Sequence, residues 1–253
     1  MQRYLTAEDV IDIHNRLVVV FADDGDPISP HGVRDTNLIE MAVHRPQTSL
    51  GGIEKYRSIE SKAAALFHSL VQNHPFHNGN KRTALVSTVR YLDLNRRRVY
   101  GTDDELFDLV TSVADGTLPD ASGRLTVEEV VEGVRAWFMR HTFPTQERIR
   151  EMRIEEFLAR ASESGCRVRR TADRQDWYIQ GPQWDLRQPR RSIVIRVRNG
   201  KTLPGNVVKR YAHELGITEG KAGITFEEFH SGLYPGQELI RQLMAVLRRL
   251  ARV

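Results

Sequence analysis

Two apolar stripes at helical spacing frame the centre of the first half of the chain. Ala63, Leu66, Phe67 and Leu70 share one side of a stretch from Ile59 to Asn73, which Ser58 opens as an N-cap. Ala84, Leu85, Val89, Leu92 and Leu94 recur in the same way between Asn80 and Asn95, with Asn80 as N-cap or first-turn residue. Thr6-Ala7-Glu8-Asp9 predicts another helix start, a near capping box with Asp9 where Glu or Gln is usual. Asp35 caps a helix that stops before Pro46, and Asp103 and Thr126 cap two more. Only Gln47-Thr48-Ser49-Leu50-Gly51-Gly52-Ile53 lacks a helical period there. The first half therefore reads as nearly all helical.

The pattern changes at His141-Thr142-Phe143-Pro144-Thr145, where a proline follows a helical stretch and Thr145 can cap the next helix. Gln146 to Ser164 reads as a charged amphipathic helix closed by Gly165. Three short runs with strand character follow: Cys166 to Arg170, Asp176 to Ile179, and Ser192 to Val197. Alternation of Arg with Val or Ile in the first and third places several arginines on one sheet face. Leu203-Pro204-Gly205-Asn206 opens a helix through Leu215, stopped by Gly216. A last helix, Gly236 to Ala251, offers Leu239, Leu243, Val246, Leu247 and Leu250 for packing. The expectation is an α+β chain: an all-α domain over residues 1–141, then a small α-β-β-β-α domain over 145–253 with an extra C-terminal helix.

Charge sharpens that division. The chain has 253 residues, room for one large or two ordinary domains, and a net charge of +4. Residues 1–140 hold 16 Lys and Arg against 20 Asp and Glu, while residues 141–253 hold 21 against 13. Halves of opposite sign point to different partners. With 40% hydrophobic residues and no apolar run near ~18, no membrane span is expected. Val18-Val19-Val20-Phe21 is too short, and the N-terminus lacks a signal-peptide layout. The single cysteine, Cys166, excludes an intrachain disulfide and reads as a small buried hydrophobe, which suits a reducing cytoplasm. His14, His31, His44, His68, His141, His213 and His230 show no metal-ligand spacing.

The chemistry concentrates in His74-Pro75-Phe76-His77-Asn78-Gly79-Asn80-Lys81-Arg82-Thr83. A glycine-bearing loop into a helix exposes backbone donors at the positive pole of the helix dipole, which suits a phosphate. Lys81 and Arg82 oppose that dipole, and a bare fold would favour acidic residues there. An anionic ligand reverses the argument. His74, on the rim, is placed to take a proton from an attacking hydroxyl. A polar helix entry is otherwise only a cap. The combination outlines a phosphoryl- or nucleotidyl-transfer site.

This run resembles the Fic/Doc family motif, His-x-Phe-x-acid-Gly-Asn-x-Arg. Tyr4 to Val10, Gly32-Val33-Arg34-Asp35, Arg45-Pro46-Gln47 with Gly51-Gly52, and Lys62 to Leu66 resemble its death-on-curing branch, over roughly residues 1–140. The resemblance implies ATP or another nucleoside triphosphate with Mg²⁺, and His74 as the base activating a Ser, Thr or Tyr hydroxyl. The loop amides, Gly79 and Asn80 would hold phosphates, and Arg82 would neutralise outer phosphate oxygens. At His77 the backbone N–H is the better contact. Thr48, Ser49, Leu50, Gly51 and Gly52 would form a flap that docks a target segment by strand pairing, or else a plain loop.

Two positions depart from the family pattern. Lys81 replaces the usual Gly and resembles the Doc toxin subgroup, in which the nucleotide binds reversed and the γ-phosphate is transferred instead of an AMP group. Asn78 stands where Asp or Glu usually holds Mg²⁺, and its neutral oxygen would ligate more weakly. The implied target is a translation protein, elongation factor Tu or another. A Ser/Thr-x-x-x-Glu-Gly/Asn inhibitory motif is absent, the nearest string being Thr111 to Gly116 with Asp where Glu is expected, so an antitoxin partner would inhibit in trans. The alternative is an impaired Fic-like protein that only binds nucleotide, peptide or RNA.

Residues 150–217 resemble, more distantly, the HicA fold related to double-stranded RNA-binding domains. Where HicA ribonucleases carry a catalytic His, this chain reads Ala172-Asp173-Arg174-Gln175-Asp176-Trp177, so RNA cleavage is not expected. Arg167, Arg169, Arg196, Arg198, Lys201, Lys209 and Arg210 would contact structured RNA, against a solvated arginine-rich face as the plainer reading.

Overall fold

A computed structural model describes residues 2–118, 125–145, 150–172, 176–182, 189–196, 200–218, 226–231 and 237–252. The chain forms two compact units: Met1–Thr145 together with Gly236–Val253, and Gln146–Pro235.

The first unit is built from capped helices. Thr6 and Asp9 exchange hydrogen bonds in a capping box at the start of α1 (Ala7–Val20). Asp35 caps α2 (Thr36–His44), which Pro46 converts to a 3₁₀ turn, Arg45–Gln47. The aperiodic segment is a hairpin, β1 (Ser49–Leu50) and β2 (Ile53–Glu54), with Gly51 and Gly52 at φ 58° and 79°. Positive φ at both turn residues is what a two-residue hairpin needs, and two glycines supply it without strain. Ser58 caps α3 (Ile59–Gln72), buried from Glu60 to Val71, as suits a central helix. Helix α4 (Asn80–Leu94) lies against it, followed by β3 (Arg97–Val99).

Helix α5 (Asp103–Ala114) is capped by Thr102, one residue before the expected Asp103. Thr102 completes a box with Glu105, and Asp103 becomes a first-turn acid favoured by the dipole. Thr126 caps α6 (Val127–Arg140), and β4 (Thr142–Pro144) returns to pair with β3. The unit therefore carries two small antiparallel pairs beside its helices.

In the second unit the described segments begin with β5 (Met152–Arg153) and α7 (Ile154–Glu163). The expected helix start at Gln146 lies outside the described residues, and the helix itself begins only at Ile154 because β5 precedes it. Strands β6 (Arg167–Arg170), β7 (Trp177–Gln180) and β8 (Ser192–Ile195) form an antiparallel meander with Val168, Ile179 and Ile193 in register. β9 (Thr202–Leu203) pairs with β5, a pairing too short to read in the sequence. Helices α8 (Gly205–Glu214) and α9 (Phe226–Ser231) complete a core of Phe157, Leu158, Ile179, Ile195, Val208, Ala212 and Phe229. Cys166 is a free thiol in that core, and burial pushes its pKa up to about 12.

The last helix, α10 (Gln237–Leu250), departs from expectation. Leu243, Val246, Leu247 and Leu250 join the first core, where α10 packs on α4 and α5. An apolar stripe states that a face is covered but not by what, so the sequence assigned this helix to the wrong half. By sequence count, residues 146–235 then hold 17 Lys and Arg against 12 Asp and Glu, and the remainder 20 against 21.

Candidate active site

The signature loop joins two buried helices and has little freedom. Asn73 ends α3, and His74 takes a left-handed conformation at φ 48° before Pro75 redirects the chain. Phe76 is buried and stacks on the His14 ring, with centroids 4.0 Å apart and planes 10° from parallel. Asn80, the first residue of α4, turns its amide back on the loop: Oδ1 accepts from Phe76 N–H and Nδ2 donates to Phe76 O, each at 2.9 Å. It is therefore a loop brace. The residue before α4 is Gly79, at φ 75°, where an added Cβ would meet Ile28 Cδ1 at 3.0 Å. Glycine is required on both counts.

A strap of residues 26–35 holds the outside of this loop. Asn78 Nδ2 donates to Ser29 O at 2.9 Å, and His77 N–H donates to Gly32 O at 3.1 Å. Arg34 and Asp35 N–H both donate to Pro75 O, and Arg34 Nη2 reaches Asn73 O. His14 supports the strap from the core. Its Nε2 accepts from Gly32 N–H at 3.3 Å, which makes Nδ1 the donor to Thr83 Oγ1 at 3.1 Å. Burial, with His31 and Arg82 nearby, lowers the His14 pKa to about 4, so the ring is neutral.

What remains open is the N-terminus of α4. It has no side-chain cap and no acid in its first turn, unlike α1, α3, α5 and α6. The first helical bond runs from Thr83 N–H to Gly79 O, which leaves the N–H groups of Asn80, Lys81 and Arg82 as the usual orphan donors of a helix start. Lys81 is half-buried beside them, and exposed His74 stands at the loop's entry. Arg82 is buried, its guanidinium 4.8 Å from the Phe21 ring centre and Nη1 donating to Asp26 O at 3.1 Å. Burial lowers its pKa, and Asp26 and Asp24 oppose that shift.

Several expected contacts change role. The His77 N–H already serves Gly32, so it is not among the open donors. Asn78 Oδ1 accepts from Gly79 N–H at 2.6 Å, which turns the proposed metal ligand inward. Among the described residues no three His, Cys, Asp or Glu side chains cluster as a metal site. The donor set therefore does not fit a protein-held Mg²⁺. Thr111 to Gly116 ends α5, with Thr111 Oγ1 donating to Phe107 O at 2.9 Å.

The flap residues Thr48 to Gly52 are exposed, and Leu50 is 87% accessible. The flap's root is clamped. Lys62, buried in α3, donates to the Glu54 carboxylate at 3.0 Å and to Tyr4 Oη at 2.8 Å. Glu128 joins Lys55 and Arg45 there. Sequence reading missed His14, the Asp26–Gly32 strap and this clamp. The only hint was a histidine set between Ile13 and Leu17 on a buried helix face.

The predicted RNA contacts divide between surfaces. Strand pairing puts Arg167 and Arg169 on the outer sheet face with Tyr178, Gln180, Ser192 and Val194. The Arg169 guanidinium lies 4.6 Å from the Tyr178 ring centre. Arg196, just beyond β8 in the same alternation, is exposed and 3.6 Å from Asp176. Lys209 and Arg210 belong to α8, which packs on the inner face through Val208 and Ala212, and Lys201 precedes β9. Arg170 also points inward, over Trp177 at 3.8 Å. Arg198 and Asp173 to Gln175 lie outside the described residues.

The loop between α3 and α4 thus sets an exposed histidine beside an uncapped helix start that carries two cations. The Fic/DOC family matches residues 4–92. Over 95 residues the chain is 37% identical to the Toxin Doc of Mycolicibacterium smegmatis (strain ATCC 700084 / mc(2)155). That match spans 38% of this chain and 66% of the toxin. Residues 4–92 are thus a Fic/Doc domain. No helix among the described residues is long and apolar enough to cross a membrane.

Proposed function

We propose that this protein is a Doc-like toxin that transfers phosphate from a nucleoside triphosphate to a hydroxyl of a translation protein. The observation that carries the reading is the uncapped start of α4, with three backbone donors, Lys81 and Arg82 beside the exposed His74. In the step itself His74 takes the proton of a target Ser, Thr or Tyr hydroxyl. The oxygen bonds to the γ-phosphorus as the bond to the β-phosphate oxygen breaks, and the nucleoside diphosphate leaves. The orphan N–H groups, Lys81 and Arg82 hold the phosphate oxygens, which is positioning and charge stabilisation rather than covalent chemistry. Lys81 favours γ-phosphate transfer over nucleotidyl transfer, because a long cation crowds the start of the helix. Mg²⁺ would enter as the counter-ion of the nucleotide. The exposed β1 edge of this two-stranded flap suits an added target strand, and a separate antitoxin would supply inhibition.

ATP labelled separately at the α and γ positions, incubated with a translation extract, tests the reaction. Protein-bound label is expected from the γ position. Label from the α position alone overturns phosphate transfer, and neither label, with no nucleotide bound, overturns both forms.

For the second unit, the outward set Arg167, Arg169 and Arg196 around Tyr178 supports contact with structured RNA without cleavage. The full chain is expected to bind an RNA duplex with a log–log salt slope of about −2 to −3, one counter-ion per arginine. The triple change of these arginines to Gln should abolish most of that slope. Binding insensitive to salt or to these changes would leave them a solvated face.

A further inference from the structure

We propose that Arg248 and Arg252 are positioning residues for the phosphate site, acting by neutralising Asp24 and Asp26 and so leaving Arg82 available to an incoming phosphate. The proposal rests on reading the start of α4 as a nucleoside triphosphate site.

Arg248, near the end of α10, pairs through Nε with Asp24 Oδ2 at 2.9 Å. Arg252, two residues past the helix, pairs with Asp26 Oδ2 at 3.5 Å. Asp24 and Asp26 flank Gly25 in the turn after α1, and the Asp26 carbonyl oxygen accepts from Arg82 Nη1. Both carboxylates act on the buried Arg82 charge. Arg248 holds the Asp24 carboxyl below the usual carboxylate range, so it is ionised whenever the pair is formed.

The consequence is electrostatic. A polyphosphate must approach Arg82 beside these two carboxylates, with the exposed Asp23 adjoining them. Left unpaired, they repel the ligand and compete for the guanidinium. Paired with two arginines, they present ion-pair dipoles in place of two net negative charges, which reduces that repulsion near Arg82. The pairs are exposed, so each contributes little to holding the fold. Their effect is felt by the incoming polyphosphate, whose approach through solvent is screened by salt. The arginines come from the end of α10 and the residues just past it, which the chain reaches only after the whole second unit.

The test uses the full chain in three variants: Arg248→Gln with Arg252→Gln, Asp24→Asn with Asp26→Asn, and all four together. Affinity for Mg-ATP is measured by calorimetry at low and high salt, alongside each thermal midpoint. The arginine variant is expected to bind ATP about 3- to 10-fold more weakly at low salt, with the gap closing at high salt. The fourfold variant should return to within about twofold of wild type, since the arginines then have no charge to cancel. If wild type binds ATP and the arginine variant binds it equally, this proposal fails and the phosphate site stands. A loss that the asparagines do not restore assigns the arginines to helix docking, and also overturns it. Absence of ATP binding in the wild type overturns the phosphate-site reading and this proposal with it.

Discussion

Replacing His74 with alanine is expected to slow transfer by about 10²-fold or more while nucleotide affinity stays close to wild type. The separation follows from where the groups sit. His74 is exposed at the loop entry and belongs to neither the α4 backbone donors nor the cations. Its loss would remove the proposed proton acceptor and leave the proposed phosphate cradle whole. Arg82→Ala should behave differently, weakening nucleotide binding and rate together, because it deletes a buried charge at the cradle. Single-turnover rates and equilibrium binding, measured on both variants, distinguish the two patterns. An unchanged rate in the His74 variant would remove it as the base.

Acidification from pH 7 to pH 4 is expected to destabilise the first unit through His14 and His68. Burial lowers the pKa of each from 6.5 to about 4. His14 faces Thr83, the Gly32 N–H, the Phe76 ring, His31 and Arg82. His68 Nδ1 accepts from Arg45 Nη1 at 3.0 Å, with Glu128 the opposing charge. Each ring is neutral in the fold and protonates near 6.5 once unfolded. Below that value the unfolded state binds more protons, so stability falls with pH until it levels near 4. Each histidine contributes a loss of about 2–3 kcal/mol over that window. Denaturant unfolding at pH 7, 6, 5 and 4 should show this slope, and His14→Gln and His68→Gln should each flatten it. A slope identical in wild type and both variants would refute the assignment.

The helices were legible because their signals are local. Thr6, Asp35, Ser58 and Thr126 cap as read, and the alternation located three strands and the shared face of Arg167 and Arg169. The motif was legible as a motif, since its residues are consecutive. What the sequence hid is what lies across from them. Asn80 reads as a cap or ligand, yet its amide matches the Phe76 backbone, a choice set by the loop's curvature. Ser29 and Gly32 act through backbone atoms, which carry no residue-type signal. The basic residues of the second unit looked like one surface until strand parity set Arg167 and Arg169 apart from Lys209 and Arg210 on α8.

The placement of α10 also sets an order of events during translation. A ribosome delivers α1 to α6 first, but the core they share with Leu243, Val246, Leu247 and Leu250 is still open. Residues 146–235 must be synthesised before the closing helix exists. Contacts between α4 and α10 thus span a long stretch of sequence, which slows folding and leaves apolar surface exposed meanwhile. A nascent chain stalled inside the second unit would carry every residue of the signature loop and lack the helix that seals the core behind it. The linear order of the gene thus builds in a delay between synthesis of the loop and closure of the core around it.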